Sequence, residues 1–238
     1  MSDQLLDDTC LEGGSNVFRY QSDDEWFYLA RLSSDAFQYF LQQVGLAKLR
    51  NQSISSELAG CISESLKMQD PSAFAISEIF QPLLRCVKAR DVFRRYLDLS
   101  IRSNPIKNPD IAIDSEYTVE LWSLWANFQS QYQYNPIHNH SGFLSFVIWM
   151  KIPYSHEEQA KLDFIRNSNA SGTAGNFVFM ARDFRKECII MNPSMEGCFS
   201  IFPSSYRHQV FPFYGTESIR LSIAGNFGLK EDLVEDNA

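Results

Sequence analysis

The chain has 238 residues, 45% of them hydrophobic and 14% aromatic, with a net charge of −8. That apolar content is enough to bury a sizeable core, in one compact domain or in a domain with a helical extension. The acidic balance argues against sequence-independent nucleic-acid binding, which depends on neutralising phosphates, and no apolar run approaches the length of a membrane span.

The opening MSDQLLDDTC is acidic and has no apolar run, so no signal peptide is expected. Cys10, Cys61, Cys86, Cys188 and Cys198 are scattered, with no CxxC pair, as expected of reduced thiols in a cytoplasmic protein. Residues 1–22 read as a polar, partly disordered lead-in. From Asp23 to about Leu49 the spacing of Trp26, Leu29, Phe37, Phe40, Leu41 and Val44 predicts one or two amphipathic helices, with Ser22 or Asp23 as cap. Ser53 to Met68 reads as another helix with Ile54, Leu58, Ile62 and Leu66 on one face. Pro71 marks a helix start, and the helical period then runs from Phe74 to about Leu99. Arg85, Lys88, Arg90, Arg94 and Arg95 read as the solvated face of that helix. Ser103 to Pro109 is a turn-rich boundary.

Beyond it the character changes. Tyr117 to Gln133 is aromatic, and Leu144 to Ile152 reads as a core strand. Glu157 to Gly175 is a polar loop suited to covering a pocket. Segments 176–181, 187–191, 197–202, 207–213 and 218–227 follow as short strands divided by Pro, Gly and Asn, the pattern of a sandwich or barrel. The division is then a mainly helical region over 1–115, a β-rich core over 116–229 and an acidic tail over 230–238.

Chemistry concentrates in three segments of that core. His138 and His140 stand at i and i+2, so on an extended segment both imidazoles reach one metal ion. His208, at the start of a later strand, completes a three-point site with open positions. Arg220 shares a strand face with Ser222, while Ile219, Leu221 and Ile223 take the other face. A guanidinium in an apolar sheet must be paired: either with one of the chain's own carboxylates or, by a two-pronged bond, with the carboxylate of a keto-acid cosubstrate, Ser222 donating a further bond. Each segment alone also has a plain reading: HxH as an exposed polar loop, His208 as a structural histidine.

Taken together, the segments resemble the 2-oxoglutarate- and Fe(II)-dependent oxygenases, prolyl-hydroxylase-like, and among them an oxygenase group common in marine bacteriophages and bacteria. The motifs are Trp125-Ala126-Asn127-Phe128-Gln129, Asn135 to Gly142 around the two histidines, and Leu144 to Trp149. Phe202-Pro203-Ser204 precedes His208, and Ser222-Ile223-Ala224-Gly225-Asn226 follows Arg220. The resemblance spans roughly 116–229. It implies an α+β chain whose core is a double-stranded β-helix, the jelly roll of cupins. It further implies His138, His140 and His208 as ligands of Fe(II), and Arg220 as the anchor of 2-oxoglutarate. The implied reaction is hydroxylation of a C–H bond in a protein side chain or small molecule, with 2-oxoglutarate decarboxylated to succinate. His140 departs from the pattern, since that slot usually holds Asp or Glu. Two rivals therefore stand: a cupin-type three-histidine dioxygenase without keto acid, and a non-catalytic interaction module. Asn127, Gln129, Tyr132 and Asn226 are further candidates for the pocket. Trp122, Trp125 and Trp149 are expected in the core.

Overall fold

The computed structural model describes residues 4–6, 16–102, 117–168 and 172–231. The Ser103–Pro109 boundary and nearly all of the acidic tail lie outside the described residues, as does much of the lead-in. In chain order the strands and helices are β1 (Gln4–Leu6), β2 (Val17–Ser22), β3 (Glu25–Arg31), α1 (Ser34–Arg50), β4 (Glu64–Lys67), α2 (Gln81–Arg85), α3 (Val87–Arg102) and β5 (Tyr117–Gln129). They continue as β6 (Asn135–His138), β7 (Leu144–Lys151), α4 (His156–Lys161), α5 (Asp163–Arg166), β8 (Phe177–Met180), β9 (Lys186–Ile189), β10 (Cys198–Pro203), β11 (His208–Val210) and β12 (Arg220–Glu231). No described helix is long and apolar enough to cross a membrane.

The strands form two sheets, ordered β2-β3-β10-β7-β12-β5-β4 and β1-β9-β8-β11-β6. From β5 onward the chain passes between them so that β10-β7-β12-β5 face β9-β8-β11-β6, the strand order of a double-stranded β-helix. The larger sheet is covered on both sides, and period-2 alternation sorts its side chains. On β7, Phe146, Ile148 and Met150 join the core beneath the helices, whereas Val147 and Trp149 join the core between the sheets. The helices contribute Ala36, Phe40, Val44 and Ala47 from α1 and Ala89, Val92, Phe93 and Tyr96 from α3 to the first of these cores.

This two-sided burial corrects the reading of the segment from Asp23 as helical from its start. Residues 17–31 are a hairpin turning at Asp23-Asp24. On β3, Trp26, Tyr28 and Ala30 enter the helix-side core, and Phe27 and Leu29 the inter-sheet core. A strand buried on both faces has no polar face to show, so its continuous apolar run imitates a helix. The helix begins only at α1, where the Ser33 hydroxyl accepts from the Ala36 N–H at 3.2 Å; Ser22 and Asp23 are not its cap. The helix expected over 53–68 is also absent. A single 3-10 turn at Ser55–Glu57 leads to β4, which extends the sheet by pairing Ser65 with Asn127 and Leu66 with Ala126. The i, i+4 spacing of Ile54, Leu58, Ile62 and Leu66 is real, but the ladder offered by β5 outweighs a segment interrupted by Gly60. Past Pro71, the carboxylate of Asp70 takes the Phe74 and Ala75 N–H groups and starts the next helical stretch. Trp122 also departs from expectation: it is 56% exposed on the outside of β5.

Candidate active site

β6 and β11 lie side by side and antiparallel in the smaller sheet, with His138 directly opposite His208. Directly paired residues point to one face, and the two imidazoles lie 4.3 Å apart between centroids. After His138 the chain leaves the ladder. The His140 N–H donates to the Ser204 carbonyl at 2.9 Å, which turns this third ring back toward the other two. One ring nitrogen from each histidine lies within 4.8 Å of the others, and the His140 and His208 Nε2 atoms are 3.2 Å apart.

The surroundings prepare these rings as donors to a metal. His138 Nδ1 lies 2.7 Å from the Pro136 carbonyl and His208 Nδ1 lies 3.0 Å from the Tyr206 carbonyl. A carbonyl only accepts, so both Nδ1 atoms carry the proton and both Nε2 atoms are left as acceptors. Burial lowers all three pKa values. That of His140 falls to about 3, from burial first and the neighbouring His138 second. Three neutral imidazoles are the protonation state a divalent metal requires. Phe177 stacks on His208 at 5.3 Å, Phe202 meets the same ring edge-on at 4.9 Å, and Trp125 lies 5.9 Å from His140. These aromatic walls fix the rings and keep out water. Imidazole suits iron as well as zinc, copper and nickel, so the donor set accommodates Fe(II) without selecting it.

Arg220 opens β12 and is 3% exposed. Its Nη1 donates to the Tyr154 hydroxyl at 2.6 Å and to the Gly175 carbonyl at 2.9 Å, while its Nε is buried with no hydrogen-bond partner. It makes no ion pair among the described residues. A buried guanidinium with an unused donor and no counter-charge is costly in free energy, and a carboxylate arriving in the cavity would remove that cost. Tyr154 orients it: its hydroxyl donates to Gly175 at 2.5 Å and its ring stacks on Phe213 at 4.7 Å. Gly175 has φ +75, and a Cβ there would meet the Tyr154 ring at 2.7 Å, so this contact requires glycine.

A cavity of about 390 Å³ joins these parts. It is lined by His138, His140, His208, Arg220, Ser222, Asn127, Gln129 and Asn226. Ser222 pairs with Asn127 on β5. Asn226 sits between two serines, accepting from Ser145 Oγ at 2.7 Å and donating to Ser123 Oγ at 3.1 Å. Asn127 accepts from Ser65 Oγ at 2.8 Å, and Gln129 Nε2 donates to the Gln133 carbonyl at 2.5 Å. Of the candidates, Tyr132 alone lies elsewhere: it is 65% exposed against Tyr214, on the turn after β5. Its φ of +69 reflects that turn, so strand alternation from Gln129 no longer applies to it. Residues that sequence reasoning missed are Tyr154, whose role depends on the fold bringing it to Arg220, and the segment Ile54–Ile62, which closes one side of the cavity.

Residues 123–226 match the family model described as "Putative 2OG-Fe(II) oxygenase". No curated protein sequence matches the chain. Among solved structures, a Pseudomonas putida prolyl-4-hydroxylase is similar at TM-score 0.46 and 14% identity, over 85% of this chain and 91% of that one. A Trichoplax adhaerens prolyl hydroxylase, in complex with a hypoxia inducible factor peptide fragment, has TM-score 0.44 and 11% identity over 92% and 86%. HygX from Streptomyces hygroscopicus, with nickel, 2-oxoglutarate and hygromycin B bound, has TM-score 0.42 and 10% identity over 85% and 82%.

Proposed function

We propose, from the match of residues 123–226 to the 2OG-Fe(II) oxygenase family model, that this protein hydroxylates a C–H bond of a small molecule or protein side chain while 2-oxoglutarate is decarboxylated to succinate. One observation carries the reading beyond the family match. Arg220, whose buried Nε has no hydrogen-bond partner, lines the same cavity as three neutral imidazoles.

In this reading His138, His140 and His208 hold Fe(II), which supplies the oxygen chemistry that protein side chains lack. Arg220 takes the distal carboxylate of 2-oxoglutarate through its free Nε, with Ser222 as a second donor two residues along the same face. Tyr154 and the Gly175 carbonyl hold the guanidinium in place, so its orientation is set before the cosubstrate arrives. The Pro136 and Tyr206 carbonyls do the same for two of the imidazoles. Because His140 brings no charge where a carboxylate is usual, the anionic cosubstrate itself offsets the metal's charge.

The test is 2-oxoglutarate turnover by anaerobically iron-loaded protein, started with oxygen and followed as succinate, with Arg220→Ala as control. Succinate that requires both iron and Arg220 is the expected result. The all-histidine donor set favours one second reading, a dioxygenase without keto acid in which Arg220 binds the substrate's own carboxylate; tight iron binding without succinate would select it. Neither iron binding nor succinate would leave a non-catalytic interaction module.

A further inference from the structure

The cavity is lined by Arg220 and the three imidazoles, and also by a roof supplied from Ile54–Ile62, a segment that lies outside the family match. Hydrogen bonds hold this roof in place. The Ile54 N–H donates to the Ser65 carbonyl at 2.9 Å, and the Cys61 N–H donates to the Tyr134 carbonyl at 2.8 Å. Gly60 lies so close over β6 that a Cβ would overlap the Asn135 side chain.

Ile54, Leu58 and Ile62 give the roof an apolar surface, facing Trp125 across the cavity. Glu57 is the one carboxylate among the described lining residues, and it forms no ion pair among the described residues. Beneath Gly60, Asn135 Oδ1 is a buried acceptor with no hydrogen-bond partner. The roof thus offers one carboxylate, free of ion pairs among the described residues, along an apolar wall. The complementary ligand has a hydrocarbon body and a donor-rich, positively charged end.

We infer that the roof selects an amine-bearing prime substrate, an aliphatic ammonium whose chain lies along Ile54, Leu58 and Ile62 with its nitrogen at Glu57. This rests on the oxygenase reading for the reaction but not for the binding. The ammonium donates hydrogen bonds to the carboxylate and the hydrocarbon displaces water from the roof, while Arg220 stays free for the cosubstrate. A free amine and the side chain of a lysine present the same chemistry.

Calorimetric titration of the full chain tests the inference, with and without Ni(II) and 2-oxoglutarate, since Glu57 and the roof are present in both. Cadaverine is compared with 1,5-pentanediol, and a capped lysine tripeptide with its norleucine counterpart. The ammonium member of a pair should bind about fivefold more tightly or better, as expected for a charge-assisted bond. Glu57→Gln should bring that preference below about twofold. Leu58→Ala should weaken charged and neutral members alike. Preference within the cadaverine pair alone identifies a free amine, and within the peptide pair alone a lysine side chain. Equal binding of charged and neutral members overturns the inference, as does a preference that survives Glu57→Gln or no binding by any of the four. The readout needs no turnover, so a missing amine preference leaves succinate formation standing, and missing succinate leaves an amine preference standing.

Discussion

The two faces of the larger sheet are built from the same strands yet differ in kind. On β12, Leu221 and Ile223 pack under the helices, while Arg220, Ser222 and Asn226 face the cavity. On β5, Leu124, Ala126 and Phe128 take the helix side, while Ser123, Asn127 and Gln129 line the cavity. The helix side is held by apolar burial. The cavity side mixes aromatic walls with a polar row, whose groups satisfy one another through Ser65–Asn127 and Ser123–Asn226–Ser145. Buried polar groups in such a row rigidify the sheet only if each finds a partner. Arg220 Nε, at the start of β12, has none. Stability and chemistry are thus divided by face, and substitutions can separate them.

The largest effect should come from the cavity side. Replacing both His138 and His208 by Ala removes the two ring donors whose orientation is fixed by backbone carbonyls. Metal binding should disappear from calorimetry while the circular dichroism spectrum is retained; full iron occupancy in this variant would refute the assignment of the site. Next is the helix side, where Ile148→Ala should lower stability by about 2–5 kcal/mol in denaturant titrations and leave metal affinity unchanged. A loss of metal affinity there would show that the faces are coupled. Tyr154→Phe keeps the stack on Phe213 but removes the hydroxyl that orients Arg220. It should raise the KM for 2-oxoglutarate about tenfold, the value of a hydrogen bond to a charged group, with iron affinity unaltered. The smallest effect is at Gly60→Ala, which forces the roof away from Asn135. A stability loss of about 1 kcal/mol is expected, together with faster proteolysis confined to residues 54–62.

The division by face also explains what was legible in the sequence. Where one side of a strand is polar, as in β12, the alternation is visible, and Arg220 and Ser222 share a face as expected. Where both sides are buried, as in Trp26–Ala30, the alternation vanishes and the strand passes for a helix. The i, i+2 spacing of His138 and His140 and the shared face of Arg220 and Ser222 are local properties that sequence alone expresses. Tyr154 and the Ile54–Ile62 roof owe their positions to long-range pairing. Tyr154 lies beside Arg220 only because the chain returns along β12, and the roof is held by β4 docking on β5. Tyr132 fails for another reason, since it sits on an exposed positive-φ turn after β5.

The placement of β12 has a consequence for how the chain is made. It pairs with β5 along its whole length, Arg220 with Gln129 through to Glu231 with Tyr117, and with β7 on its other side. Until this strand leaves the ribosome, β5 and β7 present facing edges of unpaired amides, an open template for pairing with other nascent chains. The barrel also closes through contacts between residues far apart in sequence, which slows the final step. A polypeptide stopping before Arg220 would lack the anchor for a carboxylate and would carry two adhesive edges besides. Synthesis at reduced temperature or with holdase chaperones should therefore raise the yield of intact barrel, and premature termination in β12 should yield aggregate instead of a partly active fragment.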